Sequence, residues 1–231
     1  MKTEWKQRLT LFWRGWGFSI LIAILIATSF KSAIADWNDI PSGSMEPTIL
    51  TGDRVFVNKL AYDLKLPYTT WHIAHWSSPR RGDIVVFYSP ENGKRLIKRV
   101  VGIPGDLIGM INNRLFINGS DIEYEAVNQD SRKNISPDSY FHQLLYTENL
   151  LGKKHPVMFA PLQPSIISFG PIIIPKEKYL MLGDNRDKSA DSRFFGLVER
   201  NRIVGRATAV VISRDGSFFH PRFERFFKRL S

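Results

Sequence analysis

Leu107-Ile108-Gly109-Met110-Ile111, then Asn112-Asn113, then Arg114-Leu115-Phe116-Ile117, then Asn118-Gly119 is the stretch whose pattern decides the fold class. Two apolar runs of strand length are joined and closed by residue pairs that accept the positive φ of a tight hairpin. With Ile122 to Glu125 the spacing predicts a meander. The same punctuation repeats outward. Arg54 to Leu60 follows Thr51-Gly52-Asp53, and Asp83 to Tyr88 follows Arg80-Arg81-Gly82. Leu96 to Val101 runs into Gly102-Ile103-Pro104-Gly105-Asp106, Tyr179 to Leu182 enters Gly183-Asp184-Asn185, and Ile203 to Ser213 follows. So many short strands between turn signals predict a mainly β sheet domain built from residues 36–125 and 176–217. Residues 126–175, rich in proline and polar side chains, read as an inserted subdomain or loop in which only Ser139 to Leu151 hints at helix.

A chain of 231 residues is long enough for one substantial domain with an elaboration, or for two small ones. Ahead of the strands, Gly15 to Phe30 is uncharged and largely apolar, and the run reaches Ala35 if Lys31 snorkels. Residues 15–35 therefore approach the ~20 residues that cross a bilayer as a helix. Lys2, Lys6, Arg8 and Arg14 precede the run against Glu4 alone, which places residues 1–14 in the cytoplasm and the rest outside. A cleavable signal peptide ending at Ala33-Ile34-Ala35 is the rival reading, although Lys31 is unwelcome there and the run is long for it. At the other end, 218–231 mixes aromatics with Arg222, Arg225, Lys228 and Arg229. It reads as an amphipathic helix on the membrane or as a basic terminal helix packed on the domain.

The net charge of +10 fits either nucleic acid or anionic lipid. No helix-turn-helix, zinc or RNA-binding signature accompanies it, so an apolar run beside basic residues favours lipid and no nucleic acid. The absence of cysteine removes disulfides and thiol chemistry. The five histidines show no zinc spacing, so no metal is expected.

Chemistry points to three segments. Ile40-Pro41-Ser42-Gly43-Ser44-Met45-Glu46-Pro47-Thr48 holds two serines around a glycine between two prolines, a tight turn that presents a hydroxyl and adjacent amides; a plain linker after the membrane run has the same composition. Lys98 shares a strand face with Leu96 and Val100, where burial would disfavour its cation. Service as a base near neutral pH requires its pKa to fall from about 10.4 to about 7–8, which asks roughly 4 kcal/mol of desolvation. Full burial supplies that and half exposure does not. Gly183-Asp184-Asn185-Arg186-Asp187-Lys188-Ser189-Ala190-Asp191-Ser192-Arg193 packs alternating charges among small residues. As a solvated loop those pairs contribute about 0–1 kcal/mol each; as a support shell they hold Ser189 against an amine.

These segments, taken in order as Ile40–Thr48, Gly52-Asp53, Arg81–Phe87, Ile97–Asp106 and Gly183–Gly196, resemble the bacterial signal peptidase I family. The resemblance covers most of the chain outside 126–175. It implies a signal-peptidase-like β-sheet domain with one N-terminal transmembrane helix, where some members have two. It also implies a serine endopeptidase, without cofactor, that removes signal peptides from exported preproteins at the outer face of the bacterial cytoplasmic membrane. Carried over residue by residue, Ser44 is the nucleophile and Lys98 the general base. The Ser42 hydroxyl and Ser44 amide form the oxyanion hole, and Ser189 orients the lysine. Asp184, Arg186, Asp191 and Arg193 form the charged support, and Ile40, Met45 and Ile97 line shallow pockets for small side chains. Three rivals stand beside it: a conjugation- or secretion-specific peptidase with the same dyad, a self-cleaving repressor domain, and a membrane-tethered binding protein with a dead site.

Overall fold

The computed structural model describes residues 16–65, 71–127, 143–215 and 220–230. Helix α1 (Trp16–Ile34) hands the chain directly to β1 (Ala35–Asp39), which pairs antiparallel with β2 (Asp53–Asn58), Ala35 opposite Asn58. Alternation sets β2: Asp53, Val55 and Val57 are buried while Arg54, Phe56 and Asn58 are partly exposed. With β5 (Ile84–Tyr88), β6 (Arg95–Gly102), β14 (Lys178–Leu182), β15 (Val198–Glu199) and β16 (Ile203–Ser213), these strands form a seven-stranded sheet in the order β1-β2-β16-β5-β6-β14-β15. Strand β16 is long enough to pair with β2 through one part and β5 through another, which curls the sheet. A short hairpin of β3 (Asp63–Lys65) and β4 (His72–His75) packs near α1.

The hairpin of β7 (Leu107–Ile111) and β8 (Arg114–Ile117) has the expected bounds. Asn112 and Asn113 take φ of 48° and 64°, the left-handed pair that a two-residue turn matching strand twist requires. Gly109 faces Phe116 across the hairpin, where an added Cβ would lie 2.2 Å from the ring. The third strand differs from expectation. Only β9 (Ser120–Asp121) continues the meander; Ile122 then enters the core and β10 (Glu123–Ala126) leaves for another sheet.

That second sheet, β10-β11-β12, contains β11 (Leu144–Asn149) and β12 (Lys154–Phe159). Among the described residues of Ser139 to Leu151, strand therefore replaces the helix hinted at, and residues 139–142 lie outside the description. Leu144-Leu145-Tyr146-Thr147 carries aromatic and β-branched side chains, and pairing on both edges overrides a weak helical pattern. Strand β13 (Phe169–Ile173) returns to pair with β7.

Strand β6 is buried on both faces: Ile97 through Gly102 are all buried, because β5 and β14 flank the strand and core clusters pack on both faces. The C-terminal tail is not a helix either. Residues 221–230 fold back along the sheet through Val210 N–H to Lys228 O and Leu230 N–H to Thr208 O, with only a 3-10 turn at Phe223–Arg225. Arg225 is drawn inward because the buried Asp53 carboxylate needs a counter-charge, which its guanidinium supplies.

Candidate active site

Ser44 sits in the 3-10 turn Gly43–Met45, at the tip of a loop pinned at its neck by Ile40 N–H to Asp53 O and Gly52 N–H to Ile40 O. Met45 is fully buried beneath it, which fixes the direction of the serine next door. Lys98 approaches from β6. Its Nζ donates to Ser44 Oγ at 2.6 Å, and the side chain is only 3% exposed. Loss of water around the amine pushes its pKa down to about 8, with Asp191 and Asp184 pulling it back and Arg193 pushing further down. An amine of that basicity in direct contact with a hydroxyl is equipped to take its proton at near-neutral pH.

The third segment closes over this pair. Asn185 N–H reaches Ser44 O at 3.2 Å, and Asn185 Nδ2 donates to Gly43 O at 3.0 Å. Gly183 is required by the crowding: a Cβ there would lie 2.2 Å from Ser189 Oγ and 2.5 Å from Ser44 O. Ser189 is thus packed beside the Ser44 turn, but its buried hydroxyl has no hydrogen-bond partner among the described residues, so it does not bond Lys98. Ser42 is exposed at the mouth and precedes the 3-10 turn in extended conformation.

The charged residues fall into three pairs. Asp191 pairs with Arg193 at 2.8 Å, takes the Gly183 amide and caps the one-turn helix Ser192–Phe195, and Arg193 ties back to Ile166 O and Arg186 O. Asp184 is gripped by Arg99 through two bonds of 2.9 Å and accepts the Thr48 hydroxyl. Burial alone would raise the pKa of Asp184, but Arg99 more than offsets this and holds it lowered. Arg186 points away to the inserted sheet, where it pairs with Glu148 at 2.6 Å, beside His155. Burial works against charge on Glu148 too, yet Arg186 and His155 keep its pKa lowered.

Ile40, Met45 and Ile97 come together in one buried cluster with Val55, Val57 and Val86 rather than in the wall of the cavity at Ser44. That cavity, about 480 Å³, is lined by Ser42, Glu46, Leu96, Asn185, Lys188 and Ala190 around Ser44 and Lys98. The three predicted pocket residues form the support beneath, because the loop neck folds them inward. Arg99, Thr48 and Asn185 carry no signal in the sequence beyond being polar near an expected site; only their bonds to Asp184 or Ser44 give them weight.

Glu46 is the one acidic group among the residues lining this cavity, and burial raises its pKa. A carboxyl raised in the folded state costs stability once pH exceeds the ordinary carboxylate value, and the cost disappears on acidification. Glu46→Gln should therefore raise the melting temperature at pH 7 and not at pH 4, with activity changed by no more than a few fold. Equal shifts at the two pH values, read by calorimetry, would contradict the assignment.

The sequence profile of the family described as Signal peptidase, peptidase S26 matches residues 13–212. The chain belongs to that family. It is 34% identical over 208 residues to signal peptidase I of Pseudomonas fluorescens, covering 85% of this chain and 70% of that protein. To signal peptidase I P of Bacillus subtilis subsp. natto it is 31% identical over 193 residues, covering 82% of this chain and 83% of that protein. A solved signal peptidase I from Enterococcus faecalis V583, 27% identical, covers 57% of this chain and 98% of its own with a TM-score of 0.34. This signal peptidase is a serine endopeptidase acting in signal-peptide processing, in a family whose bacterial members are generally membrane-associated. Among the described residues no helix is long and apolar enough to cross a membrane.

Proposed function

We propose that this signal peptidase is held in the bacterial cytoplasmic membrane by its N-terminal segment and cuts exported preproteins through a Ser44/Lys98 dyad. The observation that carries this reading is the 2.6 Å contact between an almost fully buried lysine amine, with pKa near 8, and a serine hydroxyl at the mouth of a cavity. Neutral Lys98 takes the Ser44 proton as the oxygen attacks the scissile carbonyl. The Ser42 hydroxyl and the Ser44 amide receive the oxyanion. Protonated Lys98 then gives its proton to the leaving amine, and water, deprotonated by the same lysine, hydrolyses the acyl-enzyme. Ser189, buried beside the turn with a free hydroxyl, is placed to orient the amine once the serine is acylated. The pairs Asp184–Arg99 and Asp191–Arg193 hold the loop that carries it.

Membrane attachment rests on α1 together with the residues before it. Trp16, Phe18, Ile20, Leu21, Ile22 and Ile24 are exposed on it, a surface suited to lipid. The basic residues Lys2, Lys6, Arg8 and Arg14 favour a cytoplasmic N-terminus, with the β domain on the outer face. Ser44 follows Ala35 by nine residues, so it stays near the surface where a signal peptide's cleavage site emerges.

Incubated in detergent with a signal-peptide-bearing preprotein, the protein should release a mature chain whose new N-terminus follows a small residue, identified by N-terminal sequencing. Release of no fragment, or cuts scattered through the mature part, would overturn this reading.

A further inference from the structure

A second cavity, of about 280 Å³, lies beside the site and takes no part in the dyad. The 3-10 turn Arg186–Lys188 separates the two: Asp187 lines this cavity, whereas Lys188 lines the one at Ser44. Tyr146 and Phe159 pack edge to face at 5.7 Å in its wall, and Tyr124 adds a third ring 6.0 Å from Phe159. Leu144 and Ile167 border it while 44% and 43% exposed. Apolar walls open to water are suited to an apolar side chain.

The polar groups suit a peptide. Asp187 accepts Asn113 Nδ2 at 2.9 Å, Ser165 Oγ at 2.6 Å and the Ala160 amide at 2.8 Å, so one carboxylate ties the β7–β8 turn and the segment after β12 to the catalytic loop. Asn113 donates there, yet its Oδ1 is buried without a partner among the described residues. A buried acceptor without a donor is costly, so the turn beside this cavity is held at some expense.

We propose that this cavity binds an apolar side chain of the substrate polypeptide on the C-terminal side of the scissile bond. The claim rests on the preceding reading of the site and deepens it. The side follows from topology. Helix α1 packs against β1 and β3, by the β1 edge of the seven-stranded sheet, while β12, which lines the cavity through Phe159, bridges from Met158 to Asn185 just after β14, next to the β15 edge. A signal peptide lying in the membrane beside α1 reaches Ser44 from the β1 side. The chain beyond the cut then continues past Lys188 and Asp187 to the second cavity.

The test compares three synthetic peptides: a short one spanning the cut, the same peptide extended by about ten residues on the C-terminal side with a leucine in the extension, and the same extension placed on the N-terminal side. Ten residues reach up to ~35 Å. Wild type should show a KM about tenfold lower for the C-terminal extension than for the short peptide, as burial of one such side chain provides. Leu144→Arg and Ile167→Arg, both at exposed positions, should erase that gain and leave kcat on the short peptide unchanged. Equal KM for short and C-terminally extended peptides in wild type would overturn the proposal. So would variants that affect the N-terminal extension instead, or all three peptides alike. Failure of wild type to cut even the short peptide would instead sink the dyad reading on which the proposal stands.

Discussion

Lys98→Met should lose at least about 10⁴-fold in kcat/KM on a preprotein and, at the same time, make the folded protein more stable. The loss follows from removing the amine bonded to Ser44, in sites whose nucleophile and base act as a unit. The gain follows from linkage. Burial lowers the Lys98 pKa from 10.5 to about 8, so at pH 7 the folded state carries a cation it holds poorly. A difference of ~2.5 units corresponds to roughly 3 kcal/mol. The sign is opposite to that of a lysine that gains a partner. Below pH 8 both folded and unfolded chains hold the proton and the cost is fully present. Between pH 8 and 10.5 the folded chain releases it first and stability rises; above 10.5 no cost remains. Methionine removes the cost, so the melting temperature should rise by several degrees at pH 7, and the difference should vanish above about pH 10.5. Ser44→Ala should be equally inactive but gain no such stability, since Lys98 remains. A Lys98→Met protein with near-normal turnover, or one that is less stable at neutral pH, would contradict both the burial and the role of the amine.

The second large effect belongs to Asp184. Its carboxylate neutralises Arg99, 1% exposed, and accepts the Thr48 hydroxyl, so one group ties together β6, the nucleophile turn and the loop carrying Ser189. Asp184→Ala would take two charge-assisted bonds from a buried guanidinium, at a cost of about 3–5 kcal/mol. In the fraction that folds, the Lys98–Ser44 contact loses its brace, and a displacement of ~1 Å suffices for about a hundredfold loss of turnover. The double replacement Arg99→Met with Asp184→Leu separates the two consequences. Two apolar groups in place of a buried pair should restore most of the denaturant midpoint and leave turnover depressed. If the double replacement recovered turnover as well, the pair would be structural only and the positioning role would fall.

The reach of the sequence depended on how local each signal was. The β7–β8 hairpin was legible to the residue because its turn chemistry is complete within eleven residues, and β16 because eleven apolar-rich positions leave little else for it to be. The strand at Leu144–Asn149 was not, since its conformation is imposed by partners on both edges that lie elsewhere in the chain. The tail was misread as a helix because its aromatic and basic spacing is real, while the force that bends Arg225 onto Asp53 comes from a carboxylate some 170 positions earlier. In the site, Ser44 and Lys98 stood out by their neighbours. Their contact joins positions 54 apart in the chain, which no local pattern fixes. Ile40, Met45 and Ile97 sit in the cluster beneath the Ser44 turn, and apolarity alone does not say whether a side chain lines a cavity or supports it from below.

The pH dependence of kcat/KM on a preprotein tests the central claim most directly. A neutral Lys98 as the base predicts a single acid limb with an apparent pKa of about 8 and full activity above it. A profile flat from pH 6 to pH 9, or an inflection near the ordinary histidine value of about 6.5, would contradict it and move the base to another residue.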